Sequence, residues 1–364
     1  MNHTLIRILL LLLATAPADS CLQRPADNPT EGPKSIILIV ADGTGIGQHT
    51  YAYYLGSRFS LQRFEHVGLM TTHPADSLKV TESGAAATAM ATGHKTYTRA
   101  IGVDENKRPL KTVLEYALEK GMATGLVATS SITHATPAAF ASHVADRSDE
   151  PEIARQMAAA GLTVIFGGGR KYFLSREQGG EQEEDLLAVM ISQGTQVIDS
   201  LGQPVSPDRP VVGLFTMDYM PKAVDGRRPT TTAMALRAVA ILEQDPDGFF
   251  LMVEESQVDW AGHKNNTKWL HSEVGSLQEL VGALLDYQAG HPQVLVLLVA
   301  DHETGGLAVQ EKALGAGLKT AWVTKGHTGD LVPIFASGPG SEAFDAVVDN
   351  TFIGKKLIEY VTGR

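Results

Sequence analysis

Four runs of consecutive apolar residues recur along the chain, and long mixed segments separate them. The runs lie at residues 36–41, 124–129, 248–253 and 294–300. Unbroken apolar runs are typical of strands that are covered on both faces, as in a parallel sheet. Segments with helical patterning alternate with them, at residues 81–92, 110–120, 151–160 and 230–243. This alternation predicts an α/β fold, a three-layer sandwich whose central, mostly parallel β-sheet is flanked by helices.

Three of the predicted strands run directly into an acidic residue. Asp42 follows the first apolar run, Glu254 the third and Asp301 the fourth. In open parallel sheets, ligands bind beyond the carboxyl ends of the strands. We therefore expect these carboxylates to converge, although any one of them alone could equally be a solvated strand end.

Histidines accompany these acids in patterns that suit a metal. His302 directly follows Asp301, and an imidazole beside a carboxylate at a strand end can form half of a zinc site. Asp259 and His263 are four residues apart, so they share one face if the segment is helical. His327 lies in the glycine-flanked stretch TKGHTGD. Each feature alone is explained equally well by a structural hydrogen bond or by surface exposure.

Ser83 precedes an alanine-rich stretch, and Arg147 is the second candidate for phosphate chemistry. The stretch SGAAATAMATG favours a helix, which Thr81 or Ser83 could cap. A hydroxyl at a helix N-terminus faces the positive end of the helix dipole, where a phosphate group binds favourably. A metal ion can activate such a serine as a nucleophile. Arg147 offers a planar guanidinium that can hold two phosphate oxygens, although it could also be a surface charge.

Eight motifs between about residues 35 and 330 resemble those of the alkaline phosphatase family, and they occur in that family's order. They read VADGTG, TESGAAATAMATG, HATPAAFASHVADR, VIFGGGRKYF, GLFTMDYMP, GFFLMVEESQVDWAGH, VADHETGG and KGHTG. Each motif is only moderately informative, but the ordered set is highly specific. The resemblance implies the family's α/β sandwich and the hydrolysis of phosphate monoesters through a phosphoserine.

The same resemblance implies a role for each matching residue. One Zn²⁺ would be held by Asp259, His263 and His327. A second Zn²⁺ would be held by Asp42, Asp301 and His302, next to the nucleophile Ser83. A third metal, usually Mg²⁺, would be held by Asp42, Thr136 and Glu254, with His134 nearby. Arg147 would hold the phosphate, and Trp260 would line the substrate site.

Four positions depart from the family's common pattern or vary within it. Glu82 stands where aspartate is usual, and its longer side chain is expected to change how Arg147 is held. Gly84 stands where alanine is common, so the start of the helix is expected to be looser. His134 and Trp260 occupy positions that differ among members, and they leave the identity of the third metal open.

Other functions remain to be weighed against phosphate-monoester hydrolysis. Related phosphodiesterases lack the third metal site, so Thr136 and Glu254 favour a monoesterase. Sulfatases need a proline and an arginine after the nucleophile, which Ser83 lacks, and a phosphomutase with this metal core would not be exported. A surface lipoprotein that binds metal or phosphate without turnover is the alternative from a different class.

Charge and the N-terminal segment bear on partners and location. The formal net charge of −11 argues against a nucleic-acid-binding surface. Residues 1–20 resemble a signal peptide, 21–33 a proline-rich tether, and 34–364 are predicted to form the catalytic domain. Cys21, the only cysteine, resembles a bacterial lipidation site. We therefore expect an exported protein, periplasmic or at the cell surface, that is either lipid-anchored or cleaved nearby to a soluble form. A homodimer is common in the family.

Overall fold

The structure, a computed structural model, describes residues 32–56, 59–206, 208–312 and 317–363. The predicted signal peptide, Cys21 and most of the predicted tether lie outside these residues. Within the described ranges, every helix is too short or too polar to span a lipid bilayer.

The apolar runs form the middle of a ten-stranded sheet. The described residues contain fourteen strands, which are β1 (Ser35–Ala41), β2 (His66–Thr71), β3 (Ala123–Ser131), β4 (Val164–Gly168), β5 (Gln196–Val197), β6 (Val211–Leu214), β7 (Phe249–Glu255), β8 (Val294–Val299), β9 (Glu303–Thr304), β10 (Leu307–Glu311), β11 (Leu318–Trp322), β12 (His327–Thr328), β13 (Val332–Ser337) and β14 (Val347–Asp349). All but β9, β10, β11 and β12 belong to the ten-stranded sheet. The order in the large sheet is β14-β2-β13-β8-β1-β7-β3-β4-β6-β5. Only β13 pairs antiparallel with its neighbours in this sheet. The four predicted strands are β1, β3, β7 and β8, and they lie side by side in parallel at its centre, as the sequence predicts.

Helices cover both faces of this sheet. They are α1 (Ile46–Tyr54), α2 (Ser83–Thr92), α3 (Val113–Glu119), α4 (Ala135–Ala141), α5 (Glu150–Ala159), α6 (Leu186–Ser192), α7 (Thr231–Leu242), α8 (Gln257–His263), α9 (Thr267–Gly290) and α10 (Asn350–Thr362). Successive residues of β1 point to opposite faces. Ile36 and Leu38 pack into the core under α2, α3 and α10, whereas Ile37 and Ile39 pack into the core under α7 and α9. The predicted three-layer sandwich is confirmed.

The start of α2 differs from the sequence prediction. The expected cap was Thr81 or Ser83, but the N-cap residue is Glu82, whose carboxylate accepts hydrogen bonds from the backbone N–H groups of Gly84 and Ala85. A carboxylate at this position also complements the helix dipole. Because Glu82 caps the helix, the hydroxyl of Ser83 is left available for other contacts.

A two-stranded sheet lies beyond the carboxyl end of β8 and joins two segments that the sequence keeps apart. β9 and β12 pair antiparallel, with His327 opposite Thr304. The buried carboxylate of Glu303 supports the pair, because it accepts hydrogen bonds from Gln48 Nε2 (2.7 Å) and Thr328 Oγ1 (2.6 Å). His327 is therefore held in a short strand rather than in the open loop that its flanking glycines suggest.

A buried ion cluster fastens the end of β7 to α9. The Arg227 guanidinium lies 2.5 Å from Glu255 Oε1 and 2.7 Å from Glu273 Oε2, and the three side chains are almost fully buried. Trp269 Nε1 also donates to Glu273. Burial, together with the Glu255 carboxylate, raises the pKa of Glu273 to about 7, and Arg227 opposes this rise. Glu255 directly follows Glu254, so this cluster fixes the strand end that carries a candidate metal ligand.

Replacing Arg227 with methionine is expected to lower the free energy of unfolding by about 3–5 kcal/mol, because it leaves two carboxylates buried without their cation. Urea denaturation at pH 8 measures the change. Arg228→Met is the matched control, since Arg228 is exposed and its substitution should stay within about 0.5 kcal/mol. A loss below about 1 kcal/mol for Arg227→Met would contradict this account of the cluster.

Candidate active site and metal centre

Acidic residues at the carboxyl ends of three adjacent central strands meet in one buried cluster. Asp42 follows β1, Glu254 is the penultimate residue of β7, and Asp301 lies just beyond β8. All three are fully buried. Donor atoms of Asp42 and Asp301 fall within 4.8 Å of one another together with His302, and those of Asp42 and Glu254 do so together with His134. The convergence expected from the strand ends is therefore present.

His302 lies between the candidate ligands of the second zinc and the candidate nucleophile. Its Nε2 atom is 3.2 Å from Asp301 Oδ2, 3.6 Å from Asp42 Oδ1 and 3.3 Å from Ser83 Oγ. Among the described residues, neither carboxylate oxygen of Asp42 has a hydrogen-bond partner. Buried carboxylate oxygens are costly unless something pairs with them, and a divalent cation would do so here.

The three residues predicted for the first zinc also converge. His263 Nε2 is 3.3 Å from Asp259 Oδ2, and His327 Nε2 is 3.6 Å from Asp259 Oδ1. The two imidazole Nε2 atoms are 3.1 Å apart. The ring of His302 stacks on that of His327 with 3.6 Å between centroids, so His302 faces this group as well as the neighbouring one.

The partners of the imidazoles determine which ring nitrogens carry protons. His263 Nδ1 is 2.6 Å from the carbonyl oxygen of Lys325, and His327 Nδ1 is 2.8 Å from that of Thr81. A carbonyl can only accept, so both Nδ1 atoms are donors, and in each neutral ring Nε2 presents a lone pair. Two lone pairs facing each other at 3.1 Å repel, whereas a cation between them would bind both.

Thr304 imposes the same tautomer on His302. Its hydroxyl donates a short hydrogen bond to Asp259 Oδ1, and it lies 3.3 Å from His302 Nδ1. Because the hydroxyl proton points at Asp259, the oxygen accepts from His302 Nδ1–H, and His302 Nε2 also faces the cluster unprotonated. Sequence reasoning did not select Thr304, although it lies two residues after His302 in the motif DHETGG.

Thr136 is the residue predicted to complete the third site together with Asp42, Glu254 and His134, and donor atoms of the last three lie within 4.8 Å of one another. Burial raises the pKa of Glu254 to about 7, and hydrogen bonding to Ser256 partly opposes this. Thr136 Oγ1 and Glu254 Oε1 are both buried, and neither atom has a hydrogen-bond partner among the described residues. Oxygen atoms dominate this group, which suits Mg²⁺ better than the histidine-rich pair of groups does.

The acids of the cluster differ in their electrostatics. Burial raises the pKa of Asp42 well above its usual range, and the carboxylates of Asp301 and Asp259 raise it further. Burial would also raise the pKa of Asp259, but the adjacent imidazoles of His263, His302 and His327 lower it below its usual range. Four buried carboxylates held this close favour the binding of divalent cations, because each cation neutralises several of them at once.

Glu82 and Gly84 fit each other, although each departs from the family's common residue. A Cβ atom added at Gly84 would lie 3.0 Å from Glu82 Oε1 and 3.1 Å from the carbonyl oxygen of Ala100. The glycine thus leaves room for the longer carboxylate against the first turn of α2. Glycine alone would favour a looser helix start, but Glu82 caps that start with two hydrogen bonds that oppose this effect.

Arg147 is held between Glu82 and His134. Its Nη1 atom is 2.5 Å from Glu82 Oε2, and its Nη2 atom is 3.1 Å from His134 Nε2. Burial would raise the pKa of Glu82, but Arg147 and the backbone N–H donors lower it. Burial and the Arg147 charge lower the pKa of His134 to about 3, so its ring is neutral near pH 7 and accepts from the guanidinium. Glu82 therefore does take part in holding Arg147.

Comparison with known proteins identifies the family. The model described as Alkaline phosphatase matches residues 33–317. The chain belongs to the alkaline phosphatase family. "Alkaline phosphatase 3" of Bacillus subtilis is 32% identical over 96% of this chain and 93% of its own length. "Streptomycin-6-phosphate phosphatase" of Streptomyces griseus is 31% identical over 94% of this chain and 93% of its own length.

Solved structures of the family share the fold. The alkaline phosphatase of the Antarctic bacterium TAB5 is 34% identical, with a TM-score of 0.85, and the match covers 92% of this chain and 99% of that one. A variant of the same enzyme, in which a histidine is replaced by aspartate, has Mg bound in its M3 site, and its TM-score is 0.84 at 32% identity over the same coverage.

Proposed function

We propose that this alkaline phosphatase family member hydrolyses phosphate monoesters through a phosphoserine on Ser83, in a site that binds two Zn²⁺ and one Mg²⁺. The observation that carries the proposal is the convergence of Ser83 Oγ, His302 Nε2 and the carboxylates of Asp42 and Asp301 at a helix N-terminus. The lone pairs of His263 and His327, which face each other beside Asp259, support the first zinc position.

Each of the candidate residues has a separate role in this reaction. Ser83 Oγ attacks phosphorus, a bond forms between them, and the ester bond breaks as the alcohol leaves. Water then displaces Ser83 Oγ and releases inorganic phosphate. Arg147 donates hydrogen bonds to phosphate oxygens, and Glu82 orients its guanidinium. When bound, the cations would supply Lewis acidity that lowers the pKa of the attacking hydroxyl and neutralises developing negative charge.

Hydrolysis of 4-nitrophenyl phosphate with added Zn²⁺ and Mg²⁺ tests the function directly. Turnover of the monoester that clearly exceeds turnover of bis(4-nitrophenyl) phosphate is expected, because the third metal group favours a monoesterase over a phosphodiesterase. Binding of zinc or phosphate without turnover would instead support the alternative of a metal- or phosphate-binding surface protein.

His134→Asp is expected to lower the Mg²⁺ concentration for half-maximal activity by about 10-fold. A carboxylate there adds negative charge and accepts hydrogen bonds from the waters that Mg²⁺ retains, whereas a neutral imidazole adds no charge. The imidazole could ligate Zn²⁺ or Co²⁺ directly, so the wild-type third site should also admit a softer metal. A neutral His134 that bound a metal through Nδ1 would carry its proton on Nε2. That atom could then no longer accept the hydrogen bond from Arg147.

Titrating the activity of both proteins with Mg²⁺ measures this effect, and His134→Asn is the control that removes the imidazole without adding charge. The magnesium-bound aspartate variant of the TAB5 enzyme supports the expectation. Identical Mg²⁺ curves for wild type and His134→Asp would mean that His134 only packs beside the site.

We further propose that the protein is exported and anchored by a lipid on Cys21. The support is the lone cysteine after an apolar run, followed by a proline-rich segment. Cys21→Ser is expected to release the protein from the membrane fraction or to block its processing. Mass spectrometry of the mature N-terminus decides this, and an unmodified N-terminus at another residue would contradict it.

A homodimer is a further proposal. Ile46, Tyr53, Tyr54 and Val67 are each about half exposed and lie on α1 and β2, where a second copy would cover them.

A further inference from the structure

Helix α8 and the residue that follows it carry two pairs of side chains that face different surfaces. Asp259 and His263 face the first candidate metal group. Trp260 and Lys264, each one residue further along the chain, line a cavity of about 430 Å³ on the neighbouring surface. This volume lies in the range of small-molecule sites. The cavity is defined here by His134, Tyr172, Tyr219, Trp260, Lys264 and Trp269, and we call it the aromatic pocket.

The aromatic pocket shares a wall with the phosphate-binding arginine. His134 Nε2 lies 3.1 Å from Arg147 Nη2. The ring of His134 meets that of Trp260 edge to face at 5.9 Å between centroids, and Trp260 meets Tyr219 in the same way at 4.9 Å. The rings of His134, Trp260 and Tyr219 therefore form a row that begins beside the guanidinium and ends at an exposed side chain. A phosphate on Arg147 would place its ester group within reach of this row.

The carboxylates of the pocket are already paired. Asp218 lies 2.7 Å from Lys171 Nζ. Glu150 accepts hydrogen bonds from three hydroxyl groups, those of Ser131, Thr133 and Tyr172. A cationic ester group would have to compete for these carboxylates and would also meet Lys264, so the pocket suits a neutral group better than a cation.

Two of the rings are available to a ligand. Lys171 Nζ lies 4.8 Å over the ring of Tyr172, and Lys222 Nζ lies 4.1 Å over the ring of Trp269, so each of these rings has a face covered. Tyr219 is 57% exposed, and Trp260 is partly exposed. A flat aromatic ligand would gain most from these two, because offset and edge-to-face contacts between rings are favourable.

From this geometry we infer that the aromatic pocket binds a neutral, planar aromatic group in the alcohol part of the phosphate monoester. This inference rests on the proposed function and extends it to a substrate class. The group could be an aryl ring joined directly to the phosphate oxygen or the base of a nucleoside monophosphate, which lies one sugar further away. Tyr219 is then a residue that determines specificity, although it contacts neither the candidate metal ligands nor Ser83 by any hydrogen bond among the described residues.

The test compares Tyr219→Ala with wild type on three monoesters. They are 4-nitrophenyl phosphate, adenosine 5′-monophosphate and glycerol 1-phosphate, which has no ring. The variant is expected to lose about 10-fold in kcat/KM on the aromatic esters, mainly through KM, and to stay within about 2-fold on the glycerol ester. Tyr219→Phe should restore the aromatic substrates. Met217→Ala, an exposed position in the same loop outside the pocket, is the matched control.

A loss on only one aromatic ester would also support the pocket and would identify whether it holds an aryl ring or a nucleobase. Equal losses on all three substrates, or no loss on any, would overturn the inference. Quenching of tryptophan fluorescence by adenosine measures binding to the aromatic pocket without turnover. Adenosine is expected to bind more weakly to Tyr219→Ala than to wild type. Wild type that binds adenosine but hydrolyses none of the three esters would contradict the proposed function and leave the pocket supported.

Discussion

Replacing Ser83 with alanine is expected to lower kcat for phosphate-monoester hydrolysis by on the order of 10³-fold. Ser83 Oγ lies 3.3 Å from His302 Nε2, at the first turn of α2 and beside the acids that follow β1 and β8. Without the hydroxyl, the phosphoryl group has no protein acceptor. Residual turnover is expected, because cations in the same cluster could still activate water.

The substitution should leave the fold intact, which makes the result interpretable. Glu82, not Ser83, caps α2, and alanine is the best helix former. Thermal unfolding should therefore match wild type, and Ser192→Ala, an exposed serine on α6, should change neither activity nor stability. Acid quenching with ³²P-labelled substrate, followed by peptide mapping, should locate the label on Ser83. A label on another residue would refute the assignment.

The sheet was predictable because its central strands carry no amphipathic alternation. Ile36–Val40 and their equivalents in the three neighbouring strands are buried on both faces, so each appears in the sequence as one apolar run. The positions of Asp42, Glu254 and Asp301 at the ends of such runs then follow from the parallel arrangement alone. This placed residues more than 200 positions apart in one cluster without any knowledge of their contacts.

The partition of ligands among metals was not predictable from spacing. His302 adjoins Asp301 in sequence, but its ring stacks on that of His327, and its Nε2 atom lies as close to Ser83 as to an acid. Only the family resemblance divides the ligands into separate zinc sites. The role of Thr304 was also invisible, because a hydroxyl that bonds Asp259, 45 residues away, leaves no periodic signal.

Local rules failed where a longer side chain replaced the preferred one. Thr81 and Ser83 are better N-cap residues than Glu82 by propensity, but the Glu82 carboxylate accepts hydrogen bonds from the N–H groups of Gly84 and Ala85 and also pairs with Arg147. In the sequence, Glu82 and Gly84 are two separate departures from the family's common residues. In the structure the two are linked, because a Cβ atom at position 84 would lie only 3.0 Å from the Glu82 carboxylate.

Removing the divalent cations with a chelator is expected to abolish activity and to lower the unfolding temperature by on the order of 10 °C. Four carboxylates are buried in the cluster, those of Asp42, Glu254, Asp259 and Asp301. Without cations, burial and then repulsion by the other carboxylates raise the pKa of Asp42 well above its usual range. Ligands that bind only the folded state stabilise it by about 4 kcal/mol at a concentration of 1,000 times Kd. Removing the cations therefore lowers the free energy of unfolding and leaves the buried carboxylates without counter-charges.

The experiment follows activity, unfolding temperature and metal content together during dialysis and re-addition. Zn²⁺ is expected to restore turnover, whereas Mg²⁺ alone should not. The ligand groups that contain His263, His302 and His327 are suited to zinc, and His302 lies beside the candidate nucleophile. The variant Asp259→Asn should bind less zinc and should lose most of the activity even with zinc present. Asp286→Asn is the control, since Asp286 pairs with Arg63 on the surface and its loss should change none of the three readouts. Full activity in protein that elemental analysis finds free of metal would refute the requirement.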